Sequence, residues 1–506
     1  MRKQFFFIAF SLIAACCLLF AACAKDQFNL KAQVAFSADT LRFDTVFVAR
    51  GSATRVFKIY NRQNEKLRIS EIKLAGGSAS QYRINIDGSA TLSAKDVEME
   101  PHDSLYVFVQ VNIDPNNANA PFVVTDEVQT VTNGVTQHIT LEAFGQNANY
   151  IGSRAGGAVV SNANGNTVWN SAKPYVIYGW LVVEDCNWVI SPGTRIYVHG
   201  GVVNKNGIFA DKAAYPYFDG VILIKNTAHI TAEGTVTQGI LFAGDRLEHD
   251  KVPTIASLDY SQTPGQWSGI WLAPASQGNS FAFCTIKNGA YGIQADSASS
   301  VVLRNTVIHN QAAYAIAAKH PTNITAENCL FFSASDHLLA LTYGGTYRFE
   351  HCTMACYGSP DYITHDKKST LLLTNSFCYA QNSAGQCLNE QYNALQADFR
   401  NCLVYGSLND EVLLDKKNNA PFAVNFEYCL LKRTDATLNE VSSLLGTRFD
   451  KPLANSQIFR DVDKLNYHLD SVYQLVYKGT GSALTTDLLG KPRAAPPTMG
   501  CYEEFK

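Results

Sequence analysis

Seven short segments of this chain share one pattern: FAFCTI from Phe281, LRNTVI from Leu303, AENCLF from Ala326, FEHCTM from Phe349, LTNSFC from Leu373, FRNCLV from Phe399 and FEYCLL from Phe426. Their fourth residues are Cys284, Thr306, Cys329, Cys352, Ser376, Cys402 and Cys429, at intervals of 22, 23, 23, 24, 26 and 27 residues. A motif that holds while its period drifts describes coils whose loops vary and whose strands stay in register. It suits neither a helix pair nor a leucine-rich repeat with its fixed Leu frame.

Each segment also states which way its side chains point. Three before the anchor stand Phe281, Leu303, Ala326, Phe349, Leu373, Phe399 and Phe426, mostly large and apolar. The next position carries Ala282, Arg304, Glu327, Glu350, Thr374, Arg400 and Glu427, mostly polar, so the strand alternates between core and solvent. Immediately before the anchor come Phe283, Asn305, Asn328, His351, Asn375, Asn401 and Tyr428. Asn tolerates the left-handed backbone that a sharp bend needs, and its amide can bond the amide one coil away. After the bend the anchor and the residue two later face inward again. This is the build of a right-handed parallel β-helix. Segments nearer the N-terminus, including YVIYGWLVVEDCNWVI, DGVILIKNTAHITAEG and WSGIWL, fit further coils.

The stretch RFEHCTMAC, residues 348–356, looks in isolation like a ligand cluster. In register, His351 takes the bend position while Cys352, Met354 and Cys356 point inward. The expected structural ladder is therefore Cys284, Cys329, Cys352, Cys402 and Cys429, with Asn305, Asn328, Asn375 and Asn401 at the bends. Adjacent rungs hold their Cβ atoms about 4.8 Å apart, somewhat wide of disulfide geometry. Free buried thiols acting as small apolar fillers are expected.

Residues 28–148 read differently. In LYVFVQVNI, Leu105, Val107, Val109, Val111 and Ile113 alternate with Tyr106, Phe108, Gln110 and Asn112, the period of a half-buried strand. Asn133-Gly134 between VQTVT and VTQHITLEAFG is a two-residue hairpin signal. LRFDTVFV, TRVFKIYN, LRISEIKL and YRINI complete a β-sandwich of about seven strands. The segment resembles immunoglobulin-like modules of the abnormal-spindle and hydin type, which implies a fold and a spacer role.

The chain opens MRKQFFFIAFSLIAACCLLFAAC, with cationic Arg2 and Lys3, an apolar core from Phe5 to Phe20 and small Ala21 and Ala22. That is the layout of an export signal, and the core is too short to prefer a membrane span. Ala21-Ala22-Cys23 resembles a bacterial lipobox, which implies lipidation of Cys23; plain secretion is the alternative. The divisions expected are a signal peptide (1–22), a lipidated tether (23–27), the sandwich (28–148), the β-helix (149–435) and a closing segment (436–506).

With these motifs in place the chain resembles Bacteroidetes surface lipoproteins with right-handed parallel β-helix repeats. The resemblance rests on KPYVIYGWLVVED from Lys173, PGTRIYVHGG from Pro192, FAGDRLEHD from Phe242, PGQWSGIWL from Pro264 and the ending DLLGKPRAAPPTMGCYE from Asp487. It implies an all-β architecture and an outer-membrane, surface-exposed location, and carries little about activity, since such scaffolds host enzymes, adhesins and stalks alike.

Composition narrows the function. Lys+Arg 41 against Asp+Glu 44 gives a net charge of -3, with no basic run to recruit nucleic acid. The acids of the repeat are scattered, and Glu327 with Glu350 reads as part of an exposed charged ladder with Arg304 and Arg400. No zinc-type Cys pairs, phosphate loop or hydrolase elbow occurs, so neither metal, cofactor nor catalytic residue is assigned. The richest polar stretch is GDRLEHDKVPTIASLDYSQTPGQW, residues 244–267. Its Asp245, Arg246, Tyr260 and Trp267, with Tyr215 and Tyr217 from a second excursion, are the expected ligand contacts, aromatics there being able to stack on sugar rings. The reading is a lipid-anchored, non-enzymatic binder of polysaccharide or surface proteins. A polysaccharide lyase or glycoside hydrolase, and a structural stalk or adhesin, are the alternatives.

Overall fold

The computed structural model describes residues 27–48, 51–52, 54–115, 121–153, 157–200, 220–247, 260–358, 363–435, 438–450, 458–470 and 478–504. The expected signal peptide, Cys23, Tyr215 and Tyr217 lie outside the described residues. The chain divides into two compact units, Met1–Asn147 and Ala148–Lys506.

The first unit is two five-stranded sheets around one core. Alternation decides its packing: Val107, Val109 and Val111 are buried while Tyr106, Phe108 and Gln110 between them face out. Asn133 and Gly134 both adopt positive φ, 52° and 78°, and join Phe122–Thr132 to Val135–Gln146 through the pair Thr132 and Val135. The strand count exceeds the seven expected because Ala35–Phe36, Ser89–Ala90 and Ser93–Met99 add to the sheet edges. Thr40–Phe47 runs parallel to Val135–Gln146.

The second unit is a parallel β-helix whose three sheets hold eleven, nine and nine strands. Phe281, Leu303, Ala326, Phe349, Phe399 and Phe426 stack in register inside it. The rings of Phe349, Phe399 and Phe426 lie 5.1 and 4.9 Å apart. Cys284, Cys329, Cys352, Cys402 and Cys429 are all buried and free. The bends need left-handed backbone, and Phe283, Asn305, Asn328, His351, Asn401 and Tyr428 supply it, with φ between 46° and 54°.

Asn375 does not belong to that column, and its segment is not a rung. Phe349 pairs directly with Phe399, and Thr353 with Leu403, so one coil spans the 50 residues from Cys352 to Cys402. Leu371–Thr374 lies in the second sheet, between Leu339–Leu341 and Val412–Asp415. Ser376–Gln381 leaves the solenoid and pairs antiparallel with Cys387–Tyr392. Cys378 therefore does not point into the core but is disulfide-bonded to Cys387 across this hairpin. Asn375 is absent from the positive-φ residues; its amide instead donates to the carbonyls of Lys417 and Ala420 at 2.8 and 2.9 Å. The motif LTNS carries the alternation of a solenoid strand because Leu371 and Leu373 do point into the core, but from the second sheet, and the hairpin sets the geometry after it.

The amides of the true bend column do not ladder with one another as expected. Asn305 donates to the Asp487 carbonyl (2.8 Å), Asn328 to Thr486 (2.9 Å) and Asn401 to Thr480 (2.9 Å). The closing segment thus runs back along the bends, against the direction in which the coils are laid down. Within the bend column one side-chain bond does pass from coil to coil, Asn401 donating to His351 Nε2 at 2.9 Å, while amide-to-amide bonding occurs at another corner, where Asn310 donates to the Asn288 Oδ1 at 2.7 Å. The first sheet also continues past residue 435, adding Arg448–Asp450 beside Leu430–Lys432. Arg304, Glu327, Glu350, Arg400 and Glu427 do share one outward column, with Arg304–Glu327 at 3.5 Å and Arg400–Glu427 at 3.7 Å. Glu350 is not an exposed rung, however: it is 3% exposed, because Ser482 of the closing segment covers it and donates at 2.5 Å.

Candidate functional site

The expected loop site is only partly assembled. Asp245 is held by His199, Nδ1 to Oδ2 2.7 Å, and the His199 ring lies 4.6 Å from that of Tyr178. The backbone N–H of Arg246 donates to Gln266 Oε1 at 3.3 Å. Tyr260 opens a short 3-10 turn, Tyr260–Gln262, which is tied down by Asn288 donating to the Ser261 carbonyl at 2.8 Å and by Asn310 donating to that of Gln262. Trp267 is not a ligand platform. It is 0% exposed, lies in the solenoid core and donates its indole N–H to the Lys287 carbonyl at 2.9 Å. Its neighbours Gly269–Leu272 continue straight into the second sheet, so burying the indole starts that strand.

A different group of aromatics stands on the outside of the second sheet. Its successive strands Tyr291–Ala295, Tyr314–Ala318 and Leu339–Leu341 send Ile293, Ile316 and Leu339 inward and Gln294, Ala317 and Ala340 outward. At the start of two of these strands, Tyr291 and Tyr314 pair in register with rings 5.7 Å apart and 19° from parallel. Lys319 places its ammonium 5.7 and 6.0 Å from the two ring centres. Tyr314 donates its hydroxyl to Asp336 at 3.1 Å.

The far ends of the same strands carry a second row. His320 approaches Asp296 at 3.8 Å and Tyr343 at 6.0 Å between ring centres. The disulfide hairpin adds Phe377, 6.2 Å from His320 and 6.0 Å from Tyr343. Tyr379 joins it 4.9 Å from Phe377 and is 50% exposed. The turn after Leu339–Leu341 sets Tyr343 in place: Tyr343 has φ 64° and Gly344 donates to the Thr374 carbonyl at 2.9 Å. Gly345, at φ 120°, has no room for a Cβ, which would come within 2.8 Å of the Thr322 carbonyl. Glu390 fastens the hairpin by accepting from Ser376 and Tyr392, both at 2.8 Å, and the Tyr392 and Ser376 bonds hold its carboxyl below the usual range.

Flat rings beside carboxylates and an ammonium offer apolar faces and hydrogen bonds at once, the chemistry that recognises a pyranose. The repeat could have revealed these residues: AYGIQA at Ala290 and AYAIAA at Ala313 recur at 23 residues, the coil period.

One cluster has the composition of a nucleophile, base and acid, yet is sealed. Glu411 accepts from His365 Nε2 at 3.0 Å, Thr370 Oγ1 at 2.8 Å and the N–H of Leu408 at 2.7 Å. Burial opposes charge on His365, but the Cys356 thiol and the Glu411 carboxylate outweigh it and push its pKa up to about 10. The His365 and Glu411 side chains are both 0% exposed, so the pair binds chain to chain and meets no substrate.

The family described as the right handed beta helix region matches residues 183–354. No curated protein matches the chain. Among solved structures, the catalytic unit of a thermostable GH87 alpha-1,3-glucanase from Streptomyces thermodiastaticus is similar at 10% identity, over 78% of this chain and 89% of that one, with a TM-score of 0.22. A GH87 alpha-1,3-glucanase catalytic domain in complex with nigerose gives 11% identity, 74% and 82% coverage and a TM-score of 0.15. A family 123 glycoside hydrolase from Clostridium perfringens gives 8% identity and a TM-score of 0.16; the match covers 22% of this chain and 26% of that hydrolase. Scores this low carry no argument about activity.

Proposed function

We propose that this chain is a surface lipoprotein of the outer membrane that binds carbohydrate without cleaving it, using the outer face of its second solenoid sheet. The observation that carries the reading is the stacked pair Tyr291 and Tyr314 at the start of the second-sheet strands, with the row of His320 and Tyr343 at their far ends extended by Phe377 and Tyr379 of the disulfide hairpin. Rings repeated coil after coil suit a polymer whose sugars repeat along its length, and the disulfide between Cys378 and Cys387 braces the hairpin that carries Phe377 and Tyr379. In chain order the immunoglobulin-like unit lies between the lipid anchor at Cys23 and the solenoid, where it serves as a spacer.

Two experiments test this. On a glycan array, Tyr314→Ala should weaken the wild-type signals about tenfold, the loss of one ring contact. Unchanged binding, or release of sugar products from a polysaccharide panel, would overturn the non-enzymatic reading on this face. Cys23→Ser should move the protein from the membrane fraction to the soluble one, and unaltered fractionation would remove the lipid anchor from the proposal.

A further inference from the structure

The first unit carries a face that a spacer does not need. Strands Arg55–Tyr60, Ser104–Val111 and Tyr82–Ile86 lie side by side, burying Phe57, Ile59, Val107, Val109 and Ile84 on one face. Their other face presents Lys58, Tyr106, Phe108, Gln110, Arg83 and Asn85. Tyr106 and Phe108 are each 39% exposed, and their rings lie 6.3 Å apart and within 18° of parallel. Two such rings on alternate residues of one strand form a flat platform. Lys58 covers one end of it, its ammonium 4.4 Å from the Tyr106 ring centre.

Beside Phe108 the same face holds a cavity of about 390 Å³, walled by Thr54, Arg83, Asn85, Phe108 and Gln110. Two of its groups are prepared for a ligand. Arg83 is fixed through Nη1, which donates to the carbonyls of Ser80 at 2.6 Å and Tyr82 at 2.7 Å, leaving its Nη2 edge without a hydrogen bond to the described residues. Asn85 Oδ1 is buried and has no hydrogen-bond partner among the described residues, a state that native structures rarely leave without a cause. Among the described residues no acidic side chain lines the cavity, while Arg83 lines it and Lys58 stands at the platform beside it. A ring for stacking, an acceptor for a hydroxyl and a guanidinium edge for an anion belong together on one kind of ligand.

We propose that this face is a second carbohydrate site, selective for saccharides that carry a carboxylate. Phe108 stacks on the sugar ring, the Asn85 amide in the cavity wall turns to bond a hydroxyl and the Arg83 guanidinium pairs with the uronate. The proposal is independent of the solenoid face, because it rests on a different unit.

Isothermal titration of the full chain with trigalacturonate, a hyaluronan tetrasaccharide and uncharged maltotriose tests it. At least one of the two acidic saccharides should bind, and maltotriose at least tenfold more weakly. Arg83→Gln and Phe108→Ala should each weaken the acidic ligand at least tenfold with the melting temperature unchanged, since both side chains are exposed. Added salt should weaken the wild type and much less the Arg83→Gln variant. Tyr314→Ala should leave this binding intact. Wild-type affinity in both first-unit variants, equal affinity for maltotriose, or silence with both acidic saccharides would overturn the proposal. Loss of acidic binding in Tyr314→Ala alone would place the ligand on the solenoid and equally overturn it.

Discussion

Two sides of one solenoid, wound from the same repeat, are finished in opposite ways. On the first sheet the outward residues Leu330, Phe332, Leu403, Tyr405 and Leu430 are apolar, and all are buried because Ile458, Phe459, Tyr467, Leu488 and Met499 pack over them. On the second sheet the outward positions are half-buried Gln294 and the buried small residues Ala317 and Ala340, and it is the flanking Tyr291, Tyr314, His320 and Tyr343, in paired and stacked contacts, that stay half-exposed. An outward apolar column on a solenoid strand thus marks chain that will lie across it, while the second sheet keeps its aromatic rows partly exposed, the surface on which something else can stack. The sealed side is fastened by its own charges. Arg493 reaches Asn328 Oδ1 at 2.7 Å, and Glu503 accepts from Thr498 Oγ1 at 2.6 Å and the Thr498 N–H at 3.0 Å.

That contrast breaks most visibly inside the coils. Phe399 bridges two stacked rings, so Phe399→Ala should cost about 3–5 kcal/mol in chemical denaturation, with the neighbouring Phe349 and Phe426 unable to close the void. Glu411→Gln, which strands His365 without its carboxylate, should cost a similar amount, about 3–5 kcal/mol. It should also lessen an alkaline weakness, to which the Cys356 thiol contributes as well. The folded His365 titrates near 10 against 6.5 for an ordinary histidine. The stabilisation is complete below 6.5 and fades as pH rises toward 10, because the folded state then holds a proton that the unfolded state has lost. Denaturation midpoints at pH 7 and 9 in wild type and variant check this; parallel losses would contradict it.

How much of this could be read beforehand follows the range of the interactions. The repeat announced the parallel sheets, the inward Phe column and the bends, since each is written within six residues and stacked on a copy of itself. Asn375 shows where such reading stops: its segment carries the motif, yet the disulfide between Cys378 and Cys387 and the hairpin it closes take the strand out of the solenoid. Trp267 shows a second limit. An aromatic in a polar loop reads as a surface group, but the loop ends at Gln266 and the indole begins the next strand. Partners distant in sequence were not legible at all. Nothing near Asn328 indicates that the chain will return 158 residues later to accept from its amide. The solenoid face was half legible, through the recurring AYxIxA, while Phe377 and Tyr379 reach it only by way of the hairpin.

The smallest of these effects returns to the bend at His351, where the solenoid and its closing segment meet. Its ring is 0% exposed, and Nε2 accepts from the Asn401 amide at 2.9 Å. Burial, followed by the charges of Arg493 and then Arg400, holds its pKa down at about 3. The sign is the reverse of that at His365. Between 6.5 and 3 the unfolded chain binds a proton that the folded chain refuses, so stability falls as pH falls through that window. Going from pH 7 to 5 should cost the wild type about 2 kcal/mol from this residue. His351→Asn restores the residue that Asn305, Asn328 and Asn401 already place at the bend and removes the proton from the balance. The variant should keep its stability at pH 7 and lose about 2 kcal/mol less than wild type at pH 5, read from urea midpoints. An equal acid loss in both would mean that the closing segment lifts off the bend before His351 can feel the pH, and that the sealed side is sealed only loosely.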